Sequence, residues 1–141
     1  MRTPYAAWAL AAAAATAAGS AAAHHAFTAQ YDSEKPVAVT GVVTKIEWLN
    51  PHAYFFIDVT DAETGDVVTW AAEMGSPVVL MRQGWTRDSM KIGDEVAVEG
   101  IRARDGSSAL NARSVVLTST GQRLFARSAA EQREADGERG R

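Results

Sequence analysis

The sequence predicts an all-β domain, specifically a five-stranded OB-like Greek-key barrel with a short helix between strands 3 and 4. Three observations predict it. From Glu34 onward, apolar residues alternate with polar ones and turn signals recur at roughly eight- to twelve-residue intervals, as in small all-β domains. The first apolar run changes parity at a glycine, Gly41, as expected for one long strand that bends and pairs in two directions. Between the third and fourth apolar runs stand the start and stop signals of a single short helix, and strands, helix, strands in that order is the OB arrangement. An immunoglobulin-like sandwich fits less well, because it needs about seven strands and has no place for the helix.

The elements follow in order. In "VAVTGVVTKIEWLN", Val37 and Val39 share one parity and Val42, Ile46 and Trp48 the other, which gives the first strand. The second, "HAYFFIDV", sets Ala53, Phe55, Ile57 and Val59 against His52, Tyr54, Phe56 and Asp58. The third, "VVTWAAEM", sets Val68, Trp70, Ala72 and Met74 against Val67, Thr69, Ala71 and Glu73, and the wholly apolar sets are expected to face inward. A hairpin through "DAETGD" that pairs Thr60 with Val67 places Tyr54 opposite Glu73 on the outer face, with His52 nearby. Ser76 is a good N-cap, Pro77 suits the first helical position and Gly84 suits the stop after "VVLMRQ". A turn at Gly93-Asp94 leads to the fourth strand, with Val96 and Val98 inward. After "RDGSS", Ala109 to Leu117 forms the fifth, and Gly121 permits a last hairpin through Leu124 and Phe125.

Residues 1–23 are set aside from the fold as a cleaved signal peptide, since a short positive start precedes the alanine-rich run Ala6 to Ala18 and then small residues. The run is poor in strongly apolar side chains and short of the ~20 residues a spanning helix needs, so no membrane span is expected after cleavage. The expected compartment is the periplasm. Residues 24–36 then form an N-terminal arm, 37–127 the barrel domain, and 128–141 a disordered charged tail without apolar periodicity. Removing Arg2 with the signal takes the formal net charge from −3 to about −4, and mild acidity excludes a nucleic-acid partner, whose phosphates need a basic face. There is no cysteine, so the fold must stand on its core.

"HHAF", "GVVTKIEWLNPHAYFFIDV", "TWAAEMGSP", "RQGWTRDSMKIGDEVAVEG" and "NARSVVL" together resemble an uncharacterised bacterial family of small exported proteins, a domain of unknown function. The resemblance runs from about His24 to Phe125 and is most specific at "EWLNPHAY". Members usually carry a hydroxyl residue where Ala26 stands. The family implies an exported OB-like domain and no particular activity.

The chain has three histidines, His24, His25 and His52. Cleavage after Ala23 would free the amine of His24 beside its own imidazole, a nitrogen pair suited to copper(II), with His25 or His52 adding a further nitrogen. The arrangement is similar, as a site only, to the amino-terminal histidine chelate of copper monooxygenases and periplasmic copper carriers. Cleavage after Ala22 would instead put histidine third, and copper would sit in a closed square of terminal nitrogens. Phe27 and Tyr31 offer apolar anchors by which the arm could reach the outer face, with Glu73 as an oxygen ligand or as acceptor for a ring N–H. The plain alternative is a flexible polar start and a His52 that bonds only its own turn.

Tyr54 and Phe56 raise a second reading, a metal-free module whose outer aromatic face on strands 2 and 3 binds a partner protein or small ligand. The same side chains could simply pack beneath the arm. Trp48, Trp70 and Trp85 are expected in the core. Arg102, Arg104, Arg113, Arg123 and Arg127 form either an anion-attracting side or an ordinary solvated face. Cysteine nucleophile, nucleophile elbow and phosphate-cradling loop are all missing from the sequence, so an enzyme would rest wholly on the copper reading.

Overall fold

Strand β1 (Tyr31–Glu47) pairs with two neighbours in succession, and the rest of the domain is organised around it. In the computed structural model, which describes residues 27–127, its first part runs antiparallel to β4 (Glu95–Ala103) from Pro36↔Ile101 to Val42↔Glu95. Its second part runs antiparallel to β2 (Tyr54–Thr60), from Val42↔Asp58 to Glu47↔Tyr54. Its irregularities fall between Val43 and Lys45 against β2 and between Tyr31 and Pro36 against β4, not at Gly41. Gly41 serves close approach instead: a Cβ there would lie 2.5 Å from the Asp58 carbonyl oxygen.

Strand β2 continues into β3 (Val67–Glu73) in the expected register, Thr60↔Val67 through Tyr54↔Glu73. Helix α1 (Pro77–Arg82) begins at Ser76, whose side chain accepts from the Val79 amide, with proline in the first turn. Gly84 follows with φ +96°, a conformation that favours glycine. Strand β5 (Ala109–Leu117) pairs with β4, and β6 (Arg123–Phe125) returns antiparallel onto Ser114–Val116 of β5.

The expected five-stranded OB-like barrel is corrected by this topology. The strands form one six-stranded sheet in the order β3-β2-β1-β4-β5-β6, with helical residues at 27–30 as well as α1. The sixth strand is held from its far side: the Trp85 indole N–H donates to the Phe125 carbonyl at 2.7 Å, and the Gly75 amide donates to that of Ala126 at 3.0 Å. A further parallel pairing joins β3 to β5, Ala71↔Ala109 through Glu73↔Asn111. β1 begins at Tyr31, so residues 31–36 of the expected arm belong to a strand. Residues 1–26 and 128–141, which include His24, His25, the expected signal and the expected tail, lie outside the described residues.

Phe55, Ile57, Val43, Met74, Leu80, Val96, Val98 and Leu110 are fully buried and form the main core, against which Trp48 and Trp70 pack. The inward set of β3 holds at Ala72 and Met74 but not at Val68, which is 44% exposed near the hairpin end. A second, small cluster of Tyr31, Ile101 and Ala103, joined by Phe27 and Ala109, fastens the chain's leading segment to β4 and β5.

Candidate functional site

Glu73 ends β3, and its position is set three times over. Pairing with β2 puts it opposite Tyr54, pairing with β5 puts it beside Asn111, and the leading segment brings Tyr31 over it. That segment is held by Arg104, whose backbone amide donates to the Gln30 carbonyl at 2.9 Å and whose guanidinium donates to the carbonyls of Thr28 and Tyr31. The Phe27 and Tyr31 rings pack with centroids 5.5 Å apart.

The outcome is a carboxylate that accepts from two tyrosine hydroxyls and lies in ion-pair range of His52. Tyr31 donates its hydroxyl to Oε2 at 2.6 Å and Tyr54 donates to the same oxygen at 2.8 Å. On the other oxygen, Oε1, His52 Nδ1 lies at 2.7 Å. Gln30 in turn donates to the Tyr31 hydroxyl at 3.2 Å. Glu73, expected on the open outer face, is only 4% exposed, because the leading segment covers that end of β3. The buried carboxylate is thus hydrogen-bonded as a buried charge must be. Asn111, its neighbour on β5, is 2% exposed and its Oδ1 has no partner.

This geometry has a chemical consequence for His52. A carboxylate can only accept, so a contact at this distance favours a hydrogen on Nδ1, and a ring neutral in that form leaves Nε2 as an acceptor. The side chain is 44% exposed, so the ring is accessible from outside while one of its atoms is fixed from within. Phe56 lies two residues beyond Tyr54 on the same face of β2, half-buried, with the Lys45 ammonium 5.1 Å from its ring centroid. Opposite Phe56 on β3 stands only Ala71, which leaves that flank of the ring uncrowded.

Both tyrosines are held neutral. Burial first, then the hydrogen bond to Glu73 and its negative charge, push Tyr54 up to about 12 and Tyr31 higher still. A phenol whose pKa is raised on folding stabilises the fold fully below the unfolded value near 10, and that contribution is lost as pH rises through the folded value. Unfolding by urea should therefore become easier between about pH 10 and 12, and the decline should be smaller in a variant carrying Tyr31→Phe and Tyr54→Phe. An equally steep decline in that variant would place the sensitivity elsewhere.

Residues 11–111 match a family of unknown function (DUF6152). The chain belongs to this family. No curated protein and no solved structure matches it. The DUF6152 span contains Tyr31, His52, Tyr54, Glu73 and Asn111, so the whole cluster around the carboxylate lies inside it.

Of the residues the sequence nominates in this DUF6152 chain, the structure brings His52, Tyr54 and Glu73 into contact and sets Phe56 beside them. His24 and His25 lie outside the described residues. Among the described residues, no group of three His, Cys, Asp or Glu side chains could hold a metal, and no helix is long and apolar enough to cross a membrane. The sequence presents Tyr31 only as an apolar anchor and gives no sign of Arg104 and Asn111 as partners of the site. One signal was available, a lone carboxylate between Ala71-Ala72 and Met74, which burial would oblige to find donors.

Proposed function

We propose that this DUF6152 domain is a binding module that works without a metal and takes a small ligand, or a partner's side chain, on the outer face of β2 and β3. The observation that supports this reading is the half-exposed row His52, Tyr54 and Phe56, with His52 and Tyr54 held from beneath by Glu73. The His52 ring beside Phe56, whose β3 flank meets only Ala71, suits a flat ligand that donates one hydrogen bond, since a few placed polar groups on an apolar surface are what orient small molecules. Preorganisation by Glu73 reduces what such a ligand must spend on ordering the site. The export-type pattern of residues 1–23 supports a periplasmic setting for this binding.

The test is a titration with indole and phenol as probes, followed by two-dimensional NMR of the full chain in EDTA. Saturable shifts are expected at His52, Tyr54 and Phe56, and Phe56→Ala should weaken binding about tenfold, in line with the ~1–1.5 kcal/mol of an aromatic contact. Binding that survives Phe56→Ala unchanged, or that requires added copper, would contradict the reading.

A further inference from the structure

A concavity built from none of these side chains lies across β1, β4, β5 and β6. It is an open groove of about 440 Å³ lined by Val37, Glu99, Arg113, Arg123, Phe125 and Arg127, among others. That volume falls in the range of small-molecule sites and is small for a protein interface. The floor is ordered. Ser114, 5% exposed, donates to Glu99 Oε2 at 2.9 Å, and Arg123 Nη1 donates to Ser114 Oγ at 3.0 Å and to Glu99 at 3.1 Å. The hydrogen bond from Ser114 and then the Arg123 guanidinium hold the Glu99 carboxyl below its usual range, so it stays ionised and offsets Arg123.

Glu99 offsets Arg123, and Arg127 adds a further positive charge to the groove, in a chain whose formal net charge is −3. Among the described residues, no side chain pairs with the Arg127 guanidinium, and its Nε is buried without a hydrogen-bond partner. Beside it, Phe125 is 53% exposed and Val37 is half-buried, an apolar wall next to an uncompensated cation. We propose that this groove binds a small organic monoanion, a carboxylate on a flat apolar body, with its head at Arg127 and its body against Phe125 and Val37. A single unpaired guanidinium matches one carboxylate, which it can meet edge to edge, and the apolar wall distinguishes such a ligand from an inorganic anion.

The test uses benzoate on the full chain, read by two-dimensional NMR, with benzamide, inorganic phosphate and hexaglutamate as comparison probes. Benzoate should give saturable shifts at Ser114, Phe125 and Arg127. Arg127→Gln should raise its Kd at least tenfold and Phe125→Ala severalfold, with spectra elsewhere unchanged, and benzamide should bind at least tenfold more weakly than benzoate. The proposal is overturned if benzoate does not saturate, or if phosphate binds as tightly and is indifferent to Phe125→Ala. It is equally overturned if hexaglutamate binds where benzoate does not, which would make the groove a dock for an acidic peptide.

Discussion

Glu73→Ala should destabilise the domain by about 3 kcal/mol, among the largest effects available to a single side chain here. Two tyrosine hydroxyls lose their shared acceptor at once, and His52 loses its ion-pair partner. The Tyr54 hydroxyl and the His52 ring are partly exposed and can turn to water, but Tyr31 is 3% exposed and its hydroxyl would be left without an acceptor. The penalty is therefore concentrated at Tyr31, as desolvation without compensation. Two consequences separate this account from simple loss of packing. Tyr31→Phe should cost clearly less in the Glu73→Ala background than in the wild-type chain, because the bond it removes is already gone. Amide exchange should also quicken around residues 27–32, since the leading segment loses one of its ties to β3. Equal costs for Tyr31→Phe in both backgrounds, measured by urea unfolding, would show that Tyr31 does not act through Glu73.

Gly100→Ala should cost a similar amount, about 3 kcal/mol, for a different reason. At the β4–β5 irregularity between Glu99 and Gly100, an added Cβ would fall 2.1 Å from the Asn111 carbonyl oxygen and 2.9 Å from its carbon. Both obstacles are backbone atoms of a neighbouring strand, which cannot swing aside as a side-chain end would. The clash acts on the residue that pairs with Glu73, so the Tyr54 and His52 signals should shift although neither touches Gly100. Gly65→Ala is the fitting comparison: nothing lies within 4 Å of its added Cβ, and its φ of +77° alone should cost about 1 kcal/mol. Denaturation midpoints that fall equally for the two variants would show that the sheet yields at Gly100.

How far the sequence was legible follows from which contacts are local. The β2–β3 register, with Tyr54 opposite Glu73, was readable because two alternating runs of matching length flank one turn, and parity leaves few ways to pair them. The helix was readable from Ser76, Pro77 and Gly84, each of which acts within a single turn. The burial of Glu73 was not readable. Parity gives the face a residue points to, but what covers that face is Tyr31, 42 positions earlier in the chain. β6 was visible only as a permitted hairpin, since three residues carry too little periodicity to count as a strand and its anchors at Trp85 and Gly75 are long-range. The five-strand barrel expectation failed for that reason, and the bulge expected at Gly41 failed for another, since the glycine answers a close approach to Asp58 rather than a change of register.

The claim on which the binding reading rests is that Glu73 fixes the half-exposed His52 ring through Nδ1, which leaves Nε2 to meet a ligand. Long-range nitrogen–proton NMR of the histidine ring reports which nitrogen carries the hydrogen, in the wild-type chain and in Glu73→Gln. The account predicts the Nδ1–H form for neutral His52 in the wild type and its loss in Glu73→Gln. An Nε2–H ring in the wild type, or a ring state indifferent to the substitution, would contradict it.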